Sequence, residues 1–235
     1  NISRQTMANW VITTAERYIS LVYDRMKEEL IKSPVIHADE TPVMVTKDGR
    51  EGMHKNFMWV YRSGSLCKAN QTVLRLMKLP PAERKKRRKS LVKPLVDAFF
   101  DWCRNSINRI PPSSETADGI KYCLNQEKYL RVFLDDPQIP LDNNLAEQAI
   151  RPFCVGKKNW KLIDTVHGAQ ASAILYSIVE TAKANELNIY QYFKHLLTEI
   201  PRHMDDTDLN FLDSLLPWSK QLPEECRKKK KTKSG

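Results

Sequence analysis

The chain lacks the sequence features of zinc-bound modules, secreted domains and membrane proteins. Its five cysteines include no Cys-x-x-Cys pair, which excludes a conventional zinc knuckle, and their odd number fits reduced thiols rather than a disulfide framework. No apolar run approaches the length of a membrane span, and the first residues contain no apolar signal core. These absences predict a chain that stays in the cytosol.

Strand signals are scarce beyond residue 63. Residues 35–45 and 57–62 resemble two strands joined by a turn at Asp48-Gly49, whereas most later segments have helical spacing. A two-stranded hairpin is marginal in water unless further strands or a helix pack on it. The sequence therefore predicts a mostly α chain with one β-hairpin. The main helices are predicted at about residues 3–32, 66–77, 82–105, 120–134 and 189–199, the last with Asn188 as its cap.

The positive charge of the chain is local. The 38 basic and 28 acidic residues give a net charge of +10, but residues 84–89 hold six cations, and residues 227–231 with Lys233 hold six more. Without these two runs the balance is 26 basic to 28 acidic residues, so no uniformly positive DNA-binding face is expected. The first run fits either a solvated helix or phosphate contact. The second has a composition that favours disorder, with non-specific DNA affinity as its expected contribution.

Two acidic motifs stand far apart in the chain. The first is His37-Ala38-Asp39-Glu40-Thr41-Pro42, after an apolar segment, and the second runs from Asp142-Asn143-Asn144 to Glu147. An aspartate on a buried strand and a glutamate on a distant helix can hold Mg²⁺ against a phosphodiester, because hard cations bind carboxylate oxygens. Asp39 and Glu40 would point to opposite sides of a strand, so only one of them can face such a site. The pair of motifs predicts descent from a DNA-cutting enzyme.

Both acids also have structural interpretations. Asp39 could cap or turn the chain, since Thr41-Pro42 follows it closely. Glu147 stands at capping-box spacing from Asn144, where it would return a hydrogen bond to the helix start. The amphipathic pattern places both Asn143 and Glu147 on the side of the helix that faces away from the core. Spacing by itself favours the cap for Glu147.

The order of motifs along nearly the whole chain resembles the transposases of the insertion sequence 66 family. The resemblance implies an α/β, ribonuclease H-like core of the retroviral-integrase type, with an Asp, Asp, Glu triad that acts on transposon-end DNA. Asp39 matches the first aspartate of this family and Glu147 its catalytic glutamate, so the resemblance favours both as catalytic metal ligands. Besides the two acidic motifs, the segments that carry the resemblance are residues 2–10, 57–62, 93–100, 151–160 and 177–185.

The chain departs from the family pattern in the middle. The family places its second aspartate in an Asp-Gly-Tyr motif after the hairpin, but here residues 61–64 run directly into residues 65–68, which resemble a much later part. This indicates an internal deletion that includes the second aspartate. Asp118-Gly119 imitates the lost motif, but it stands where the family has a helix without a catalytic carboxylate. The family also carries a DNA-recognition region before the equivalent of Asn1, so we expect sequence-specific end binding to be lost.

The resemblance implies DNA transposition by metal-dependent strand cleavage and strand transfer. Mg²⁺, or Mn²⁺, would be held by Asp39 and Glu147, and both reactions should be impaired by the missing carboxylate. Arg151, Lys157 and Lys158 flank the glutamate and are candidates for phosphate contact, although each also suits a solvated loop. The alternative is a non-catalytic DNA-binding or subunit-interaction remnant of a transposase.

The expected partners are transposon-end DNA, contacted through its phosphates, and a second copy in a homo-oligomer, with no membrane. The expected location is the bacterial cytoplasm, at the nucleoid when DNA is bound. Five segments are expected in the chain. They are an N-terminal helix leading into the core (1–33), the β-hairpin of the catalytic core (34–64), a helical insertion (65–140), the glutamate helix with packed core helices (141–200), and a C-terminal element with a basic tail (201–235).

Overall fold

The computed structural model describes residues 1–51, 55–63, 80–140 and 142–229. The chain divides into two compact units, residues 1–69 with 143–235 and residues 70–142. The helix predicted at 66–77 lies outside the described residues. Within the described ranges, none of the helices has both the length and the apolar composition that crossing a membrane requires.

The first unit begins with the long N-terminal helical segment. Helices α1 (Arg4–Thr14) and α2 (Ser20–Ile31) are joined without a break by a π-helical turn, Ala15–Ile19. The prediction of helix from about residue 3 to 32 is confirmed. Apolar residues recur three or four positions apart and form the buried stripe of this segment. The fully buried members of the stripe are Ala15, Ile19 and Val22.

A small mixed sheet follows. Strands β1 (Ile36–Lys47) and β2 (Lys55–Ser63) form the predicted antiparallel hairpin. A third strand, β3 (Ile163–Thr165), pairs in parallel with the end of β1, and the strand order is β2-β1-β3. No sequence pattern predicts β3, because three residues are too few to show an alternation. The described chain is therefore mostly helical with a three-stranded sheet. The prediction of a mostly α chain with one β-hairpin is confirmed, and β3 is added to the hairpin.

Helix α7 (Asn144–Trp160) covers one face of the hairpin. Phe153 of this helix is buried against Val43, Val45 and Ile163 of the sheet. The Phe153 ring also meets two aromatic rings edge to face, an arrangement that adds to the apolar burial. The partner rings are those of Trp160 and Tyr176, at centroid distances of 5.4 and 5.2 Å.

The main core of the first unit lies between the N-terminal helices and three later ones. These are α8 (Val166–Ala184), α9 (Ile189–Glu199) and α10 (Leu212–Leu215). Asn188 caps α9 as predicted, since its side chain accepts a hydrogen bond from the Gln191 amide. Such a cap satisfies one of the amides that have no partner at a helix start.

Helix α8 ends in a left-handed turn at Glu186, which has a φ of 59°. The Leu187 amide donates to the Ala182 carbonyl at 2.9 Å, and the Glu186 amide donates to the Lys183 carbonyl at 3.1 Å, the hydrogen-bond pair of a Schellman motif. Leu187 also forms a β-bridge with Arg227. The expectation of disorder for the basic run that starts at Arg227 is therefore wrong for its first residue. Residues 230–235 lie outside the described part of the chain.

The second unit is helical. Helix α3 (Pro81–Arg87) continues through a π-helical turn, Arg88–Val92, into α4 (Lys93–Ser106), which confirms the helix predicted at 82–105. Helix α5 (Glu115–Leu130) starts earlier than predicted because the Ser114 hydroxyl caps it, and α6 (Val132–Asp135) follows. The buried apolar residues in the described part of this unit are Phe100, Cys103, Ala117, Ile120 and Leu134.

Candidate functional site

Asp39 lies in the middle of β1 rather than in a turn. Its side chain is half-buried and shares a strand face with His37 and Thr41, which are both buried. Glu40 is exposed on the opposite face, as the strand alternation predicts. The Asp39 carboxylate accepts a 2.9 Å hydrogen bond from the Glu40 amide. A strand that continues to Lys47 removes the turn interpretation of Asp39.

Glu147 lies in the first turn of α7. The N-cap residue of this helix is Asn143, one position earlier than the capping-box spacing requires, so Glu147 is the fourth helical residue. Its side chain is exposed and makes no hydrogen bond or ion pair with any described residue. The carboxylate is therefore not occupied by the helix start, in contrast to the interpretation that spacing favoured.

Two side chains fasten α7 to β1 close to Asp39. The Asn143 amide nitrogen donates a 2.8 Å hydrogen bond to the Ala38 carbonyl. At the other end of the helix, the Lys157 ammonium donates to the Pro42 carbonyl at 2.6 Å and approaches the Thr41 hydroxyl at 3.2 Å. The strand segment that contains Asp39 is thus held at both ends by the helix that carries the glutamate.

The position of Glu147 follows from this attachment. Residues four apart are neighbours on a helix surface, so Glu147 stands one turn beyond Asn143, with its side chain exposed. Asp39 directly follows Ala38, the residue that Asn143 contacts. The two acids accordingly lie on neighbouring elements at the end where α7 begins. The amphipathic pattern had placed Asn143 away from the core, and no sequence signal identifies a strand carbonyl as its partner.

The carbonyls that α7 contacts belong to one edge of β1. Ala38 and Pro42 are four residues apart, and backbone groups of strand residues an even number apart point to the same edge. β3 pairs with β1 only around Val45–Lys47, and no other described strand continues along this edge. Beside Asp39, side chains of α7 therefore donate to β1 carbonyls that would otherwise accept from the amides of a neighbouring strand.

The described part of the chain shows no third acidic ligand beside Asp39 and Glu147. Among the residues that the structure describes, no group of three or more His, Cys, Asp or Glu side chains could hold a metal ion. Asp118 lies in the first turn of α5, in the second unit, where its exposed carboxylate pairs with Lys121 at 3.4 Å. The imitation of the family motif around Asp118 is thus part of a helix.

The three candidate phosphate ligands have different environments. Arg151 and Lys158 are exposed and have no hydrogen-bond or ion-pair partner in the described part of the chain. Helical spacing puts both on the same side of α7 as Glu147. Lys157 is half-buried and its ammonium faces β1 instead.

The basic run at residues 84–89 is divided between core and surface. Arg88 is 1% exposed and donates to the carbonyls of Phe133 and Asp136 at 2.8 and 3.0 Å, and buried Arg84 donates to the Pro137 carbonyl at 2.6 Å. Burial, followed by the charge of Arg84, lowers the pKa of Arg88. Neither a solvated helix nor phosphate contact describes these two residues, because periodicity does not show what packs against a charged side chain. The remaining four cations are exposed.

Comparison with known proteins identifies the chain. Residues 1–76 and 66–171 match the family described as "Transposase IS66 family", and residues 177–218 match the "IS66 C-terminal element". The chain belongs to the IS66 transposase family. The resemblance predicted from the motifs is confirmed, and membership implies a ribonuclease H-like fold, of which this IS66 chain shows the hairpin and the packed helices.

The relatives of this IS66 chain are longer proteins. It is 29% identical over 140 residues to uncharacterized protein y4hP of Sinorhizobium fredii (strain NBRC 101917 / NGR234), which is 60% of this chain and 25% of that protein. It is 33% identical over 112 residues to uncharacterized protein y4jD of the same organism, which is 48% of this chain and 22% of that protein. The chain thus spans about a quarter of the length of the curated relatives it matches. No solved structure matches it.

Proposed function

We propose that this chain is the catalytic region of an IS66 transposase in which Asp39 and Glu147 are the first and last acids of the metal site. The second aspartate is removed by an internal deletion, so that metal-dependent cleavage and strand transfer at transposon ends are impaired. The observation that carries the proposal is the hydrogen bond from Asn143 to the Ala38 carbonyl. It joins the start of the glutamate helix to the strand residue beside Asp39.

The form of the family match supports the deletion. Residues 1–76 and 66–171 match the same family separately and overlap, whereas a chain that followed the family without interruption would match as one stretch. The described part of β1 beside Asp39 has helix side chains along its edge instead of a strand. Both observations are expected if a strand that carried the second aspartate is missing from the first unit.

The two acids suit a single magnesium ion. Mg²⁺ usually binds one or two carboxylates and completes its octahedral shell with water and substrate phosphates. Asp39 and Glu147 are free of ion pairs among the described residues and could supply those two carboxylates. A bound ion would polarise a phosphoryl oxygen and lower the pKa of a bound water. A two-ion clamp needs more ligands than these two residues provide.

The chain's own side chains then have distinct tasks. Asn143 and Lys157 fix the helix on the strand, and thereby fix the position of Glu147 relative to Asp39. Arg151 and Lys158 follow Glu147 along the same side of α7, where they can bind DNA phosphates next to the acids. The surface cations of the run at residues 84–89 add non-specific attraction for DNA.

The experiment is titration calorimetry of the intact chain with Mn²⁺ and Mg²⁺. Asp39→Asn and Glu147→Gln should each weaken ion affinity at least tenfold, while Asp118→Asn, an exposed acid in the second unit, should leave it unchanged. Equal ion binding by all four proteins would refute the assignment of the two acids. Mg²⁺-dependent nicking of transposon-end DNA at a rate typical of transposases would refute the loss of the second aspartate.

The non-catalytic remnant is the second candidate, and the proposed internal deletion favours it for present activity. Binding of a short duplex, followed by fluorescence anisotropy at several salt concentrations, separates the two. A remnant keeps its salt-dependent DNA affinity when both Asp39 and Glu147 are neutralised. A working metal site instead shows DNA affinity that rises on adding Mg²⁺ and loses this response in the same double variant.

A further inference from the structure

The outer edge of β2 has no pairing partner among the described strands, and we call it the open edge. It borders a groove. In the strand order β2-β1-β3, β2 is the edge strand, and no described strand pairs with its outer side. An edge of this kind presents unpaired backbone groups that can pair with another chain. We propose that a second copy of this chain adds its own β2 there, antiparallel, with the two-fold axis at Trp59.

The backbone direction along β2 can be worked out from β1. In an antiparallel pair, the N–H and C=O groups of alternate residues point toward the partner strand and away from it. The carbonyls of Ala38 and Pro42 accept from α7, so these two residues belong to the set that points away from β2. Their partners across the hairpin are Tyr61 and Phe57, with Trp59 between them. The backbone groups of these aromatic residues accordingly point to the open edge.

The groove beside this edge has room for the side chains of one more strand. Its volume is about 480 Å³, within the range of sites that hold a ligand. Residues 58–63 form one wall, and at their end the Ser63 hydroxyl and the Arg62 Nε are buried without a hydrogen-bond partner. The other walls are mainly apolar and come from α2, α7 and α8. They include Tyr23, Met26 and Leu30 of α2, and Ala173, Tyr176 and Ser177 of α8.

The middle of the strand, between Lys55 and Arg62, has none of the features that protect edges from pairing. Natural edge strands commonly carry charges or proline, whereas residues 56–61 contain neither. Phe57, Trp59 and Tyr61 are 52, 51 and 57% exposed on the sheet face that α7 does not cover. The Trp59 and Tyr61 rings already stack, with centroids 6.1 Å apart. An exposed aromatic row on an unprotected edge indicates a surface that is covered in an assembly.

The sequence of β2 identifies the second copy as the occupant. With the axis at Trp59, this residue faces its own copy, Phe57 faces Tyr61, and Met58 faces Val60. Aromatic pairs directly opposite each other stabilise antiparallel strands. The Met58 and Val60 side chains of each copy would lie over the groove of the other. The contact uses the same patch on both subunits, so it closes as a dimer and does not propagate into a filament.

Sedimentation equilibrium of the full chain over a range of concentrations tests the proposal. The wild type should form a dimer, and Trp59→Lys should raise its dissociation constant about a hundredfold, because two ammonium groups would face each other at the axis. Glu40 lies opposite Trp59 within the same hairpin, so the new lysine gains a cross-strand partner and the hairpin is retained. Tyr190→Lys, at a 74% exposed aromatic residue of α9, is the matched control and should not change the dimer.

Two further measurements distinguish pairing from misfolding. An equimolar mixture of Trp59→Lys and Trp59→Glu proteins should recover dimers, since opposite charges then meet at the axis. Tyr61→Pro removes an amide that points to the open edge but none that pairs with β1, and should weaken the dimer while circular dichroism stays unchanged. A wild type that is monomeric at every concentration would overturn the proposal. Dimers that persist after both Trp59→Lys and Tyr61→Pro would overturn it as well. The same holds for a monomeric chain whose groove binds an unrelated extended peptide.

Discussion

The Asn143 side chain donates a 2.8 Å hydrogen bond to the carbonyl of Ala38, more than a hundred positions away in sequence. This contact links Asn143, the N-cap residue of α7, to the residue before Asp39. It also satisfies a strand carbonyl that has no strand partner among the described residues. The two motifs that distinguish the chain are thereby connected through a single amide.

Asn143→Ala should lower the free energy of unfolding by about 1 kcal/mol, because the Ala38 carbonyl loses its partner. The same change should weaken Mn²⁺ affinity, since the start of the helix that carries Glu147 would no longer be attached to β1. Chemical denaturation and titration calorimetry measure the two effects. Asn159→Ala is the control, as Asn159 is exposed on the same helix and has no partner among the described residues. Equal effects of both substitutions would contradict a specific role for Asn143.

Substitutions in the basic run at residues 84–89 should separate stability from DNA affinity. Arg88→Met leaves two buried carbonyls without their donor and should destabilise the second unit by about 3 kcal/mol. Lys86→Met changes an exposed side chain and should leave stability unchanged, but it should reduce the salt dependence of DNA binding. Hydrogen exchange of the second unit and anisotropy with duplex DNA provide the two measurements. If Lys86→Met destabilised the second unit and Arg88→Met did not, the assignment of Arg88 to the core would be wrong.

Stability at high pH should depend on Tyr192. Its hydroxyl is buried and donates to the Leu215 carbonyl at 2.7 Å, and burial raises the pKa of Tyr192 well above that of a free phenol. Above about pH 10 the unfolded chain releases this proton while the folded chain keeps it, so stability is complete below that pH and falls as pH rises. Tyr192→Phe should cost about 1 kcal/mol at neutral pH and lessen the alkaline loss. Thermal unfolding at pH 8 and at pH 11 would show whether the slope changes.

Glu186→Gly should stabilise the first unit. Glu186 has a left-handed backbone, which costs a residue with a Cβ about 1–2 kcal/mol, whereas the greater freedom of glycine in the unfolded chain returns part of this. We expect a net gain of about 0.5–1 kcal/mol by urea denaturation. Glu180→Gly, inside the right-handed part of α8, should instead destabilise by about 1 kcal/mol. A loss of stability at both positions would show that the Glu186 side chain has a role that the backbone argument omits.

Local sequence patterns accounted for the elements and for the family. The N-terminal helix, the hairpin around Asp48-Gly49, and the cap at Asn188 follow from spacing and turn chemistry, because these depend on residues close together in the chain. The order of the motifs identified the IS66 family, and with it the two acids that we assign to the metal site. Spacing alone favoured a capping box between Asn144 and Glu147. The structure does not form this capping box, because the N-cap residue is Asn143.

Tertiary structure alone decided which polar groups meet. The hydrogen bond of Asn143 to Ala38, the burial of Arg84 and Arg88 against carbonyls, and the open edge of β2 all join or expose groups from separate parts of the chain. The sequence determined the elements and their amphipathic faces, since neighbouring residues fix these. It could not determine the partner of a long polar side chain, because that partner depends on which distant backbone groups remain unpaired after the elements pack.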